Sequence, residues 1–386
     1  MAQGKAYFRA NDWWQGKAAL LMGLVYLFTC WFSIPFTQFL QLGGLSLMTI
    51  SGFASLGYLL NDLFDLKKDA LAGKPNSLES KSAPIIIVLF SIAATLMLLP
   101  WKFLPWNTNS LIMIGAEVGL FLIYSVPPIR LKDRGLAGII ADATYAHSLP
   151  LLLAGYTFSL AANYKLTALP VGLLLLWQTA SGTRNILIHQ FEDEANDKKS
   201  DTRGFYSSLS FQSFQLLIKL CVALEFATSI SFFILLSPGQ SLFFICGAVL
   251  LLFLLFAVIR FGLKSANWLN MEGWHYFPNP VFEKWIPAAI LVILSFADIR
   301  FIFILVLNTI LFNYKVFVEA YNRLFVPSRD FTKETSVATR DETRKWLSYV
   351  VNNFIYYLFL LFGIDLKKEN LSAMDYLRRG KKTKQG

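Results

Sequence analysis

Residues 43–69 read GGLSLMTISGFASLGYLLNDLFDLKKD, an uncharged run that ends abruptly in Asn61, Asp62, Asp65 and Asp69. About twenty apolar residues are what a helix needs to cross the hydrocarbon core of a bilayer. The stretch therefore predicts a membrane helix near 43–62 that emerges with carboxylates at its end. At about 3.6 residues per turn, Asn61, Asp65 and Asp69 are spaced i, i+4, i+8 and share one helical face.

The same design recurs near the end of the apolar run at 167–190, where Asp193, Asp197 and Asp201 repeat that spacing. Together with Glu192 and Glu194, the two short windows hold eight of the chain's 25 acidic residues. Carboxylates stacked on one face repel each other, and a hard divalent cation with oxygen ligands relieves that repulsion. Magnesium takes a few carboxylates and completes its shell with water and substrate phosphates. One such run is what any solvated helix end looks like; a pair at equal spacing points to two acidic faces clasping a diphosphate.

Working outward, the 386 residues are 55% hydrophobic and 16% charged, with a mean hydropathy of +0.50. A water-soluble domain of this composition would leave too much apolar surface exposed. Apolar runs predict about nine helices, near 17–40, 43–62, 84–104, 109–126, 136–160, 167–190, 211–236, 241–263 and 286–312. The first is too long for a cleaved signal peptide and is kept as a membrane helix. Basic residues gather after the second, fourth, sixth and eighth runs, which by the positive-inside rule puts those loops and the N-terminus in the cytoplasm. The formal charge of +10 then meets lipid headgroups or phosphorylated substrates, and no nucleic-acid role is expected. Cys30, Cys221 and Cys246 each sit in apolar sequence with no ligand spacing, and with three His in the chain zinc and haem readings lose their ligands.

A third feature lies between the fourth and fifth runs, Tyr124-Ser125-Val126-Pro127-Pro128-Ile129-Arg130-Leu131-Lys132-Asp133-Arg134. Two prolines end the helix and stiffen the turn, fixing where the cations point. Arg can meet phosphate bidentately and Lys as a point charge. The Asn-Asp-x-x-Asp-x-x-x-Asp run, the later Asp-x-x-x-Asp-x-x-x-Asp run and this Tyr-x-x-Pro-Pro-x-Arg-x-Lys loop together resemble the UbiA superfamily of intramembrane prenyltransferases, over about residues 15–312.

The resemblance implies an all-α membrane bundle whose two halves surround a central cavity, with the second and sixth helices facing each other. It assigns Asn61, Asp62, Asp65, Asp69, Asp193, Asp197 and Asp201 to magnesium, with Asp65, Asp193, Asp197 and Lys132 catalytic. Arg130, Arg134, Lys198 and Lys199, with Asn61, would complete the diphosphate pocket. One departure is the loop Ala70-Leu71-Ala72-Gly73-Lys74-Pro75-Asn76-Ser77, which lacks the Arg-Pro pair common after the first motif.

The expected reaction is Mg²⁺-dependent transfer of an isoprenyl group from a prenyl diphosphate to a small hydrophobic or aromatic acceptor, in a multi-pass protein of the plasma or bacterial inner membrane with its site on the cytoplasmic side. Cations stabilise the departing diphosphate, and the cationic carbon left behind is attacked by the acceptor. Alternatives are phosphoribosyl transfer onto a polyprenyl phosphate, or a membrane transporter, although transporters place such charges near the midplane on broken helices. Asp142 and His147 in the fifth run either meet the acceptor or pair with a neighbouring helix. Arg184, Asn185 and His189 approach the second motif from within the sixth run. The domain is expected to span 1–313, followed by a charged extension, 314–386, with one apolar helix at 346–363 that crosses or lies at the interface. Asp298 and Arg300 interrupt the ninth run and are read as a possible break in a helical hairpin.

Overall fold

A computed structural model describes residues 8–194, 204–237, 243–261 and 278–313. The second-motif residues Asp197, Lys198, Lys199 and Asp201, and the extension from 314 with its apolar stretch, lie outside the described residues. The described chain is helical, without a strand. Its helices are α1 (10–31), α2 (Phe36–Ala72), α3 (Ala83–Lys102), α4 (Thr108–Ser125), α5 (Leu136–Ala161), α6 (Ala168–Glu192), α7 (Phe211–Leu236), α8 (Phe243–Phe261), α9 (Pro278–Ala297) and α10 (301–313). Among them α2, α3, α4, α5, α7 and α9 are long and apolar enough to cross a membrane. α6 falls outside that set because Gln178, Arg184, Asn185, His189 and Gln190 dilute its apolar face. This is an integral membrane protein.

Two boundaries that bear on the first motif differ from the sequence reading, and α9 begins at Pro278, eight residues before the expected 286. The first break falls at Phe32–Pro35, not near 41–42, since Ser33 adopts a left-handed φ of 54° and Pro35 caps the next helix. α2 also runs on ten residues past the apolar stretch, to Ala72, so the whole first acidic motif lies on continuous helix. Gly73 (φ 69°) stops it: the Gly73 N–H reaches the Ala70 carbonyl at 3.3 Å and the Lys74 N–H reaches Asp69 O at 2.9 Å. This is the paired bonding of a left-handed C-terminal cap, where glycine carries no Cβ penalty. The ninth apolar run does break at Asp298–Arg300, where the Arg300 guanidinium grips Asp298 at 2.7 Å.

Burial follows position. Every residue of Ala19–Trp31 in α1 is buried, the mark of a helix apolar all round and enclosed by others. α9, α5 and α2 pack around it. By contrast α3 turns Ile85, Ile87, Val88 and Ile92 outward, which in a bilayer is contact with lipid. α2 and α3 approach so closely at Gly52 that a Cβ there would sit 2.2 Å from the Met97 nitrogen. In the other half Arg184 of α6 pairs with Glu225 of α7, both fully buried, and donates to Asn279 of α9 at 2.6 Å. That network ties three helices together, and a buried ion pair of this kind costs much if one member is removed.

Candidate active site

The helix ends carrying the motifs meet at one end of the bundle and enclose a polar cleft. α2 supplies Asn61, Asp65, Lys68 and Asp69; the loop before α5 supplies Arg130, Lys132 and Asp133; α6 supplies His189, Gln190 and Asp193. The i, i+4, i+8 face read from the sequence is thus the face that lines the cleft, because α2 stays helical to Ala72.

Asp65, Asp133 and Asp193 are each met by a cation. Asp65 lies between Arg130 and Lys132, with all three side chains nearly buried, and the Lys132 ammonium also donates to Asn61 Oδ1 at 2.6 Å. Arg130 is held in a left-handed backbone conformation (φ 40°) and is braced by Asp133, whose Oδ2 accepts from Arg130 Nε at 2.7 Å and from Lys68 at 2.6 Å. Across the cleft Lys74 donates to Asp193 Oδ2 at 3.0 Å. That bond joins the first motif's loop to the second motif's helix and gives Lys74 a place the missing Arg-Pro pair left open. Asp69 accepts from Asn76 Nδ2 at 2.7 Å.

Electrostatics outside the spans follow these contacts. Burial pushes the Lys132 ammonium below its ordinary pKa of 10.5, a shift that the charge of Asp65 only partly offsets. For Asp133 burial acts upward, but hydrogen bonds from Lys68 and Arg130 outweigh it and hold the carboxyl below 3.8.

Two expected site residues face elsewhere. Asp62 is 1% exposed; Arg9 donates to its Oδ1 at 3.0 Å, while the Ser77 N–H, at 3.3 Å, and hydroxyl take Oδ2. It follows Asn61 by one residue, which on a helix is a turn of about 100° away from the cleft face. Arg134 points at its own loop, with Nη2 donating to the Pro128 carbonyl at 2.8 Å. His147 is buried against Gly182 of α6, and Arg184 and Asn185 belong to the Glu225–Asn279 network. Of that group His189 does line the cleft.

The cleft adjoins a deeper chamber, and Arg9, Asn61, Tyr124, Ile186 and His189 border both. Leu21, Ile50, Phe53, Ala54 and Phe121 give the chamber its apolar walls. Asp142 also borders it, its Oδ2 taken by the Tyr145 hydroxyl at 2.6 Å. Sequence reading missed Arg9, Lys68 and Tyr58: nothing in the N-terminal segment signals that Arg9 reaches Asp62 and stacks over the Tyr58 ring at 5.0 Å.

In this helical bundle a polar cleft bearing residues of both acidic motifs adjoins a second chamber with apolar walls. No family model and no curated protein matches the sequence. Solved structures do. A UbiA homolog from Aeropyrum pernix K1, in its apo form, matches with a TM-score of 0.52 at 15% identity, covering 72% of this chain and 97% of that one. A UbiA homolog from Archaeoglobus fulgidus bound to DMAPP and Mg²⁺ matches at 0.51 and 16% identity, over 72% of this chain and 96% of that one. The same homolog bound to GPP and Mg²⁺ gives 0.50 at 14% identity, with the same coverage. The chain therefore has the UbiA fold, the bundle that its motifs imply.

Proposed function

We propose that this chain is a magnesium-dependent intramembrane prenyltransferase that moves an isoprenyl group from a prenyl diphosphate to a small hydrophobic or aromatic acceptor and releases diphosphate. The observation that carries the reading is a polar cleft that gathers Asn61, Asp65, Asp69 and Asp193 with Lys74, Arg130 and Lys132 and adjoins a chamber with largely apolar walls, the two sharing Arg9, Asn61, Tyr124, Ile186 and His189. An amphiphile with a multiply charged head and a hydrocarbon tail matches both ends. The UbiA homolog bound to GPP and Mg²⁺ supports the same assignment.

The donor set suits magnesium. Asp65, Asp69, Asp193 and Asn61 offer hard oxygen atoms, and among the described residues no three acidic, His or Cys side chains converge tightly enough to hold an ion by themselves. An ion that keeps waters and binds substrate phosphates needs no such cage. When bound, magnesium would supply charge stabilisation to the leaving diphosphate. The chain's own part is an exchange of partners. Arg130, Lys132 and Lys74, which neutralise Asp65 and Asp193 in the cleft, would turn to phosphate oxygens, freeing Asp65 and Asp193 as the carboxylates that would hold the ion. Lys198, Lys199, Asp197 and Asp201, assigned to the diphosphate and the metal by the family resemblance, lie outside the described residues. Asp62 and Arg134 are left as supports of their loops. Tyr58, Tyr124 and Tyr145 line the chamber beneath the mouth, where aromatic faces favour a developing allylic cation. On this reading the catalytic domain spans 1–313 and an extension follows from 314, and the distribution of basic loops supports a site on the cytoplasmic side.

A transporter would hold its charged groups at mid-membrane on interrupted helices; here they stand on the unbroken α2 and at the end of α6. The test is diphosphate release by protein in lipid nanodiscs, given prenyl diphosphates and a pool of aromatic acceptors. Turnover should require magnesium, stop with chelator and disappear in Asp65→Ala and Asp193→Ala. Release that persists in either variant sinks the proposal.

A further inference from the structure

One wall of the inner chamber is chemically out of place. Glu117 of α4 borders it, is 1% exposed, and has no hydrogen-bond partner for either carboxylate oxygen. Other buried carboxylates of this bundle are satisfied: Asp142 by Tyr145, Glu225 by Arg184. A carboxyl group inside a membrane is costly in either protonation state when nothing bonds to it. The chamber is the neighbouring space from which a partner can come, and a site bordered by polar groups and large enough for water takes it.

Depth gives this carboxyl a consequence. Glu117 lies seven residues before Tyr124, which lines both the mouth and the chamber. At 1.5 Å of rise per residue it stands about 10 Å further in along α4. A prenyl chain advances roughly 5 Å per isoprene unit, from three single bonds of about 1.5 Å and one shorter double bond in zigzag. With the diphosphate in the cleft, two units reach the level of Glu117. A third and fourth extend past it along the same wall, where hydrocarbon shuts the carboxyl off from any polar partner the chamber would otherwise admit.

We propose that Glu117 sets the donor's chain length, admitting prenyl diphosphates of up to about two isoprene units and discriminating against four. The inference rests on the prenyltransferase reading of the site and names its donor class. Stripping a buried polar group of its partner corresponds to a loss of about tenfold to a hundredfold in affinity.

The experiment is calorimetric binding of dimethylallyl, geranyl and geranylgeranyl diphosphates, with magnesium, to the full chain in nanodiscs. Geranyl diphosphate should bind at least about tenfold more tightly than geranylgeranyl diphosphate. Glu117→Leu, which needs no hydrogen-bond partner, should raise the geranylgeranyl-to-geranyl affinity ratio about tenfold, whereas Glu117→Gln, which still needs partners, should leave it near the wild-type value. Wild-type protein that binds the four-unit donor as well as the two-unit donor overturns the proposal, as does an unchanged ratio in Glu117→Leu. Should that variant not fold, the wild-type profile decides alone. If no prenyl diphosphate binds at any length, the prenyltransferase reading itself fails and takes the proposal with it.

Discussion

Asp62 and Asp65 stand three residues apart in one acidic motif, yet they occupy opposite environments, and exchanging each for Asn separates scaffold from chemistry. In Asp62→Asn the new amide group must point its NH₂ either at the Arg9 guanidinium or at the Ser77 donors, so one donor pair is left facing another donor. Hydrogen bonds to a charged acceptor contribute about 1.5–3 kcal/mol each when lost inside a protein. The Arg9 bond is discounted because that side chain is 36% exposed and keeps Asp12 at 2.7 Å. A net loss of about 2 kcal/mol is expected, roughly a 30-fold fall in the folded-to-unfolded ratio. Diphosphate release measured where the variant is still folded should drop by less than about tenfold. Asp65→Asn is the converse: it removes the carboxylate shared by Arg130 and Lys132, and kcat/KM should fall by about 10² or more, the usual cost of deleting one preorganised electrostatic group. Melting followed by intrinsic tryptophan fluorescence, beside turnover in nanodiscs, reads both quantities. If Asp62→Asn melts like wild type and loses turnover about a hundredfold, its carboxylate serves the reaction and the account of it as a loop anchor is wrong.

The buried Arg184–Glu225 pair predicts a pattern across variants: Arg184→Met alone should destabilise by about 3–5 kcal/mol, while Arg184→Met with Glu225→Leu should recover most of it, because the cost lies in the orphaned charge; equal damage in single and double variants, by denaturant melting, contradicts this. Gly52→Val should destabilise by about 1–3 kcal/mol through collision with the Met97 backbone, read by the same melts. pH acts on the basic loop in two directions. Asp133 has its carboxyl held below 3.8, so the stability it contributes is fully present above 3.8 and lost as pH falls through its lowered folded value; the difference in melting temperature between wild type and Asp133→Asn should shrink only in that acid range. Lys132 is lowered from 10.5, so its ammonium, and with it donor affinity, should be lost on raising pH before an ordinary lysine would deprotonate; isothermal titrations in which Lys132→Arg shows the same alkaline loss would count against it.

What the sequence made legible, and what it did not, divides along a physical line. Periodicity survives translation into structure because a helix imposes it locally: once 43–69 is helical, Asn61, Asp65 and Asp69 must share a face, whatever surrounds them. The turn before Arg130 was readable for the same reason, since two prolines restrict the backbone on their own. The helix end at Gly73 could be found too, as a glycine following the last apolar positions, but the hydrophobic run stopped at Leu60 and drew the boundary early. Asp62 shows the limit of motif reading. It belongs to the motif by sequence, but its rotation of about 100° from Asn61 turns it to the loop, and only the fold reveals that Arg9 and Ser77 wait there. Arg9 and Lys74 reach partners 53 and 119 residues away, distances over which one sequence carries no pairing signal. Glu117 is the sharpest case. On the sequence it is a lone acid in an apolar run with nothing to mark it; the absence of any partner for its two oxygens, on the wall of the chamber proposed to take the prenyl chain, is what singles it out.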